Sequence, residues 1–148
     1  MHVPAELYER FVRSMPIACV DIIVRNPAGM VLLVRRTNKP AQGQWWWPGG
    51  RVHFGETRET AASRKLAEEC GLVATSLRER GTFDLMLDDG AVHSISTLFD
   101  ATVEPGPVRL DAQSSEADWR PPGAWLRETL HPFVRGMMVE PSAPEVKR

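Results

Sequence analysis

The sequence predicts a single α+β domain built on a mixed sheet, and three observations carry that prediction. Branched apolar runs of strand length lie early in the chain. One bounded helix sits in the middle. A second pair of strands follows, joined by a tight acidic turn, and a helix comes late. At 148 residues the chain is expected to be one domain, 1–148, with a flexible tail from about residue 140.

In order, residues 4–14 open on Pro4 and place Leu7, Phe11 and Val12 at helical spacing. Residues 17–24 are apolar and branched except for Asp21, the pattern of a buried strand. Asn26, Pro27 and Gly29 make a turn into a second strand, 30–34. Pro40 and Gly43 keep 37–44 irregular. Trp45, Trp46 and Trp47 suit a short strand in which one face takes Trp45 and Trp47 and the other takes Trp46, and Pro48 stops it. A helix then begins after Glu56, capped by Thr57, with Ala61, Ala62, Leu66 and Cys70 as its packing stripe and Gly71 as its terminator. Residues 77–87 and 92–103 read as a hairpin around Asp88-Asp89-Gly90. Residues 104–118 read as a loop, 123–130 as a helix opened by Pro121-Pro122, and 133–139 as a further turn.

The totals exclude several classes. A net charge of −1 gives no basis for binding nucleic-acid backbone or an anionic membrane. No apolar run approaches the ~20 residues of a membrane span. The first residues, MHVPAELYERF, lack a signal-peptide core, and the two cysteines, Cys19 and Cys70, suit free thiols in a reducing compartment, so a cytoplasmic location is expected. The four histidines are scattered at 2, 53, 93 and 131, unlike a zinc site.

The chemistry is concentrated between Gly49 and Leu72, GGRVHFGETRETAASRKLAEECGL. A glycine loop feeds a helix whose end carries the adjacent carboxylates Glu68 and Glu69, which suits a hard divalent cation and the phosphates it escorts. Gly50, Glu56, Arg64, Leu66, Glu68, Glu69, Gly71 and Leu72 fall in register with the Nudix box, G-x5-E-x7-R-E-U-x-E-E-x-G-U, with Lys65 replacing the Glu after Arg. The chain therefore resembles the Nudix hydrolases, which implies an α/β/α sandwich and Mg2+, with Mn2+ as an alternative. The segment RRTNKPAQGQWWWPGGRV, with residues 10–72 more widely, is similar to GDP-mannose mannosyl hydrolases. That likeness implies attack of water on the sugar carbon, release of GDP, and a homodimer.

Glu69 is the first metal-ligand candidate, with the Gly49 carbonyl and Glu68 beside it, and the resemblance adds Gln113 by position. Glu56 and Arg64 are expected to orient these carboxylates. Arg36 and Arg51 are candidate phosphate clamps, since guanidinium binds phosphate bidentately. Asp21, costly to bury unpaired, is either a substrate contact at a cavity wall or an exposed edge residue. His53 and His93 are weaker candidates for acid–base work or substrate contact. Lys65 meets Glu69 on one helix face. It could bring positive charge to phosphates in place of a further metal, which is the expectation adopted alongside a single Mg2+, or it could neutralise Glu69. In the mannosyl hydrolases a His follows the loop Gln. Here Ser114 does, so Glu116 is the candidate base, with Arg51 and Lys65 as the other catalytic candidates. Two other functions stay open: a pyrophosphohydrolase cleaving a P–O bond of a nucleotide, and a nucleotide-sugar binding module without catalysis.

Overall fold

The computed structural model describes residues 2–139, so the expected flexible tail lies outside the described residues. The order is α1 (Ala5–Ser14), β1 (Ile17–Arg25), β2 (Val31–Arg36), β3 (Trp45–Trp46), β4 (Gly49–Arg51), α2 (Arg58–Cys70), β5 (Ala74–Leu87), β6 (Val92–Val103), β7 (Ser114–Arg120), α3 (Pro122–Trp125) and α4 (Pro132–Val139). The hairpin turn at Asp88–Gly90 is a short 3-10 turn in which both aspartates take positive φ, which a short polar side chain tolerates.

All seven strands join one mixed sheet with the path β3-β2-β1-β6-β5. β1 runs parallel to β6 along its whole length, and every other pairing is antiparallel. β1 divides its other edge: Cys19–Asp21 pairs with β4, while Val24 and Arg25 pair with β2. The Trp47-Pro48 corner joins β3 to β4, and Ile22 donates its amide to the Pro48 carbonyl at 2.9 Å.

Alternation along β1 sorts the core into two layers. Val20, Ile22 and Val24 face α2 with Leu66, Phe99 and Ala101. Ile23 faces the other side with Leu33, Leu98, Trp125 and Met138, the layer closed by α3 and α4. Helices on both faces of a mixed sheet make the predicted α/β/α plan.

Several boundaries differ from the sequence reading: β3 ends at Trp46, and Gly49–Arg51 is a short strand rather than part of a glycine loop. Residues 114–120 are a strand, not loop, paired with β2 from Val31↔Arg120 to Arg36↔Ser114. The strand is mostly polar, so its period-2 signal is confined to Ala117 and Trp119, which pack against the α2-side core. The helix expected over 123–130 stops at Trp125, and a separate helix begins at Pro132. Proline lacks an amide proton to donate and is favoured in a first turn.

Candidate active site

α2 delivers the acidic cluster. Thr57 caps it, accepting the Thr60 amide at 3.1 Å, and Gly71 ends it at φ 66. Arg64 ties the preceding loop to the helix, donating to both oxygens of Glu56 (2.6 and 3.0 Å) and to the Arg51 carbonyl (3.0 Å). Glu56 also accepts the His53 amide at 2.7 Å. The Arg64 hydrogen bonds hold the Glu56 carboxyl down at about 2. Arg64 further donates to Glu68 at 3.2 Å, so one guanidinium orients Glu68 while anchoring Glu56.

Glu69 is 2% exposed. Its Oε2 accepts the Gly49 amide at 3.1 Å. Its Oε1 lies 3.1 Å from Lys65 Nζ, an ion pair without hydrogen-bond alignment. Burial raises the Glu69 carboxyl above its ordinary range, and the Lys65 charge works against that rise. Lys65, 5% exposed, also lies 3.7 Å from Glu68 Oε2. Two glycines make this packing possible. A Cβ on Gly49 would stand 2.2 Å from the Val20 carbonyl oxygen, and one on Gly50 would stand 2.6 Å from Lys65 Cε.

A cavity of about 350 Å3 opens beside the cluster. Among the expected site residues, Asp21, Arg36, Gly49, Arg51, Arg64, Lys65, Glu68 and Gln113 line it, and so does His53. Glu69 and Glu56 stand behind this lining. The loop 37–44 adds Lys39 and Ala41 to the rim, fixed by the Asp88 carboxylate, which accepts the Ala41 amide at 3.0 Å, and by Arg36 Nε donating to the Pro40 carbonyl at 2.6 Å. Gln113 is held against that loop because its carbonyl accepts the Thr37 amide at 3.0 Å. Arg51 stacks over the Tyr8 ring, 5.4 Å from its centroid, bringing α1 to the cavity edge.

Asp21 is buried at the cavity wall, so the exposed-edge alternative is removed. Its oxygens accept Trp46 Nε1 at 3.1 Å and the Ser96 hydroxyl, and burial pushes its carboxyl up to about 6. Trp46 is therefore the tryptophan that meets the cavity, while Trp45 packs on Trp125 with ring centroids 5.0 Å apart. Cys19 also lines the cavity, its thiol raised to about 11 by burial, which leaves it unreactive.

Two candidates are corrected by position. Glu116 lies on β7, exposed, with its carboxylate 3.3 Å from Arg35, and it does not reach the cavity. A strand fixes it where a mobile loop would have let it swing in. His93 lies between Val92 and Ser94, which do line the cavity, so strand alternation turns it to the opposite face. His53, a minor candidate in the sequence, is retained. Burial, then the charges of Arg64 and Arg51, lower its pKa from the ordinary value, favouring neutral imidazole at pH 7.

The oxygen-rich donor set of Glu68, Glu69 and Gln113 suits a hard divalent ion in chemistry. Among the described residues, no three acidic, His or Cys side chains converge into a ready cage. Glu69 Oε1, buried and facing the Lys65 ammonium, accepts no hydrogen bond among the described residues.

Residues 15–140 match the NUDIX domain family. The chain is 34% identical over 139 residues to the low-salt glycan biosynthesis protein Agl8 of Haloferax volcanii, covering 89% of this chain and 86% of that protein. It is 33% identical over 104 residues to an ADP-ribose pyrophosphatase of Methanocaldococcus jannaschii, covering 70% of this chain and 61% of the pyrophosphatase. Among solved structures, a MutT protein from Methanosarcina mazei Go1 superposes with a TM-score of 0.75 at 28% identity, covering 84% of this chain and 92% of that one. The NUDIX domain of Shewanella oneidensis NrtR, solved with ADP ribose, gives 0.71 at 23% identity over 90% and 96% of the two chains, a likeness of fold.

Proposed function

The chain belongs to the Nudix family, a family of hydrolases that generally use divalent metal ions, and from that premise we propose that it hydrolyses a nucleoside diphosphate sugar of the GDP-mannose type, releasing the nucleoside diphosphate and the free sugar. The observation that carries this reading is one cavity with two chemistries. Arg36, Lys39 and Arg51 supply fixed positive charge on its walls, and Glu68 and Gln113 supply oxygen donors. A diphosphate needs the first set and an escorting cation needs the second. Similarity to a glycan biosynthesis protein across 89% of the chain supports a sugar-bearing substrate.

Arg36 and Arg51 bind the diphosphate and hold its charge as it departs. Asp21, anchored by Trp46 and Ser96, is rigid enough to orient a sugar hydroxyl. Glu68, Glu69, the Gly49 carbonyl and Gln113 are the residues that would hold Mg2+, or Mn2+ in its place. The bound ion would neutralise phosphate charge and polarise the leaving oxygen. With Glu116 turned away, His53 is the cavity group suited to accept a proton from water near pH 7. Replacing His53 with Asn should remove the acid limb of the kcat/KM pH profile while leaving substrate affinity within about twofold. An unchanged profile would take His53 out of the mechanism. The protein is further proposed to act in the cytoplasm as a homodimer.

A second reading is cleavage at phosphorus, as in a nucleotide pyrophosphohydrolase, and it is favoured by the similarity to an ADP-ribose pyrophosphatase. Hydrolysis of GDP-mannose in 18O-water separates the two. Label in the free sugar is the expected result. Label in a phosphate product would replace the first reading with the second.

A further inference from the structure

The acidic cluster carries a cation of its own. Glu56, Glu68 and Glu69 are linked through Arg64 and Lys65 in one ion-pair network with contacts of 2.6 to 3.7 Å. Arg64 is committed to the loop, holding Glu56 and the Arg51 carbonyl. Lys65 is tied to the helix's own carboxylates rather than to the loop. Its side chain runs over Gly50, where only a missing Cβ leaves room, and ends between the carboxylates of Glu68 and Glu69. An ammonium is a compact point charge that occupies the ground a small metal ion would take. Three carboxylates against two cations leave the network with one net negative charge. Without Lys65 it would have two, the charge of one divalent ion.

We propose that Lys65 is a resident counter-ion of this site, holding by its own ammonium a position that an acidic residue at 65 would open to a divalent metal. The protein accordingly binds a divalent ion more weakly than its carboxylates alone would allow, and it carries one permanent positive charge beside the diphosphate-binding wall. This rests on Glu68 and Glu69 being the metal-side carboxylates, so the test reports on that premise separately.

The measurement is Mn2+ binding by the loss of the free-ion electron paramagnetic resonance signal, without substrate, on the wild type and on Lys65→Met, Lys65→Arg and Glu69→Gln. Removing a like charge a few ångströms from a divalent ion should tighten Mn2+ binding in Lys65→Met by on the order of tenfold or more. Lys65→Arg, which keeps the charge, should bind as the wild type does. Equal or weaker affinity in Lys65→Met overturns the proposal. Because that variant leaves Glu69 buried without its partner, its thermal melting is followed alongside, together with that of Lys65→Gln. A melting temperature that Mn2+ raises several-fold more in these variants than in the wild type supports the proposal, and an equal response in both overturns it. If Glu69→Gln binds Mn2+ as the wild type does, the metal assignment itself is wrong, whatever the Lys65 variants do.

Discussion

Asp21 is a carboxylate held at the wall of an otherwise apolar strand, and its environment has a measurable signature. In the native protein it keeps its proton up to about pH 6, whereas the unfolded chain releases it near the ordinary value of 3.8. Between those values the folded state binds more protons, so stability falls as pH rises from about 4 to about 6 and stays lower above that. The penalty at pH 8 is roughly 3 kcal/mol. Asp21→Asn should therefore be more stable than the wild type at pH 8, with the gap closing at pH 4, as read by urea midpoints. A gap that ignores pH would mean that ionisation is not what Asp21 contributes. The sequence showed that Asp21 interrupts a buried strand but left two fates open, because its donors Trp46 and Ser96 are 25 and 75 residues away. Lys65 was equally ambiguous. Its spacing from Glu69 was evident, but the groove over Gly50 that turns it inward exists only once β4 and α2 pack.

At the level of elements, α2 was the most legible, since cap, stripe and terminator all sit within the local sequence. The Glu56–Arg64 clamp is what joins it to the loop from β4. Glu56 titrates near 2 in the folded protein, well below a free carboxyl, so its contribution is present above about pH 4.5 and is lost as pH falls toward 2. Glu56→Gln should cost about 1–3 kcal/mol at pH 7 and roughly half of that or less at pH 3 by chemical denaturation. A loss of equal size at both values would assign the effect to packing instead. β7 was the least legible element. Its inward residues are few and its partner β2 lies some 80 positions earlier, so a local reading saw only polarity. Reading 114–118 as loop is also what makes Glu116 look free to serve as a base. On a ladder beside β2, its carboxylate answers Arg35.

At the scale of the whole molecule, the three-layer plan followed from the pattern of elements, but the sheet order did not. Nothing local says that β1 and β6 lie parallel, and it is this pairing that brings Ser96 to Asp21. The cavity is likewise a product of topology, drawing on α1, β1, β4, α2, the β5–β6 hairpin and the segment before β7. Arg36, Arg51 and Gln113 could be named from resemblance, but only the assembled fold gathers them around one space.

The way β1 shares its edge between β2 and β4 has a consequence for how this scaffold can change. The inner wall is main chain fixed by pairing, whereas the rim at 37–44 hangs from a few anchor points, chiefly Asp88 and Arg36. Swapping that rim segment for one of different length would alter which leaving group fits without disturbing the register of the strands beneath. Such a swap would carry Lys39 with it, while Arg51 and the carboxylates of α2 would stay where the strands and helix hold them.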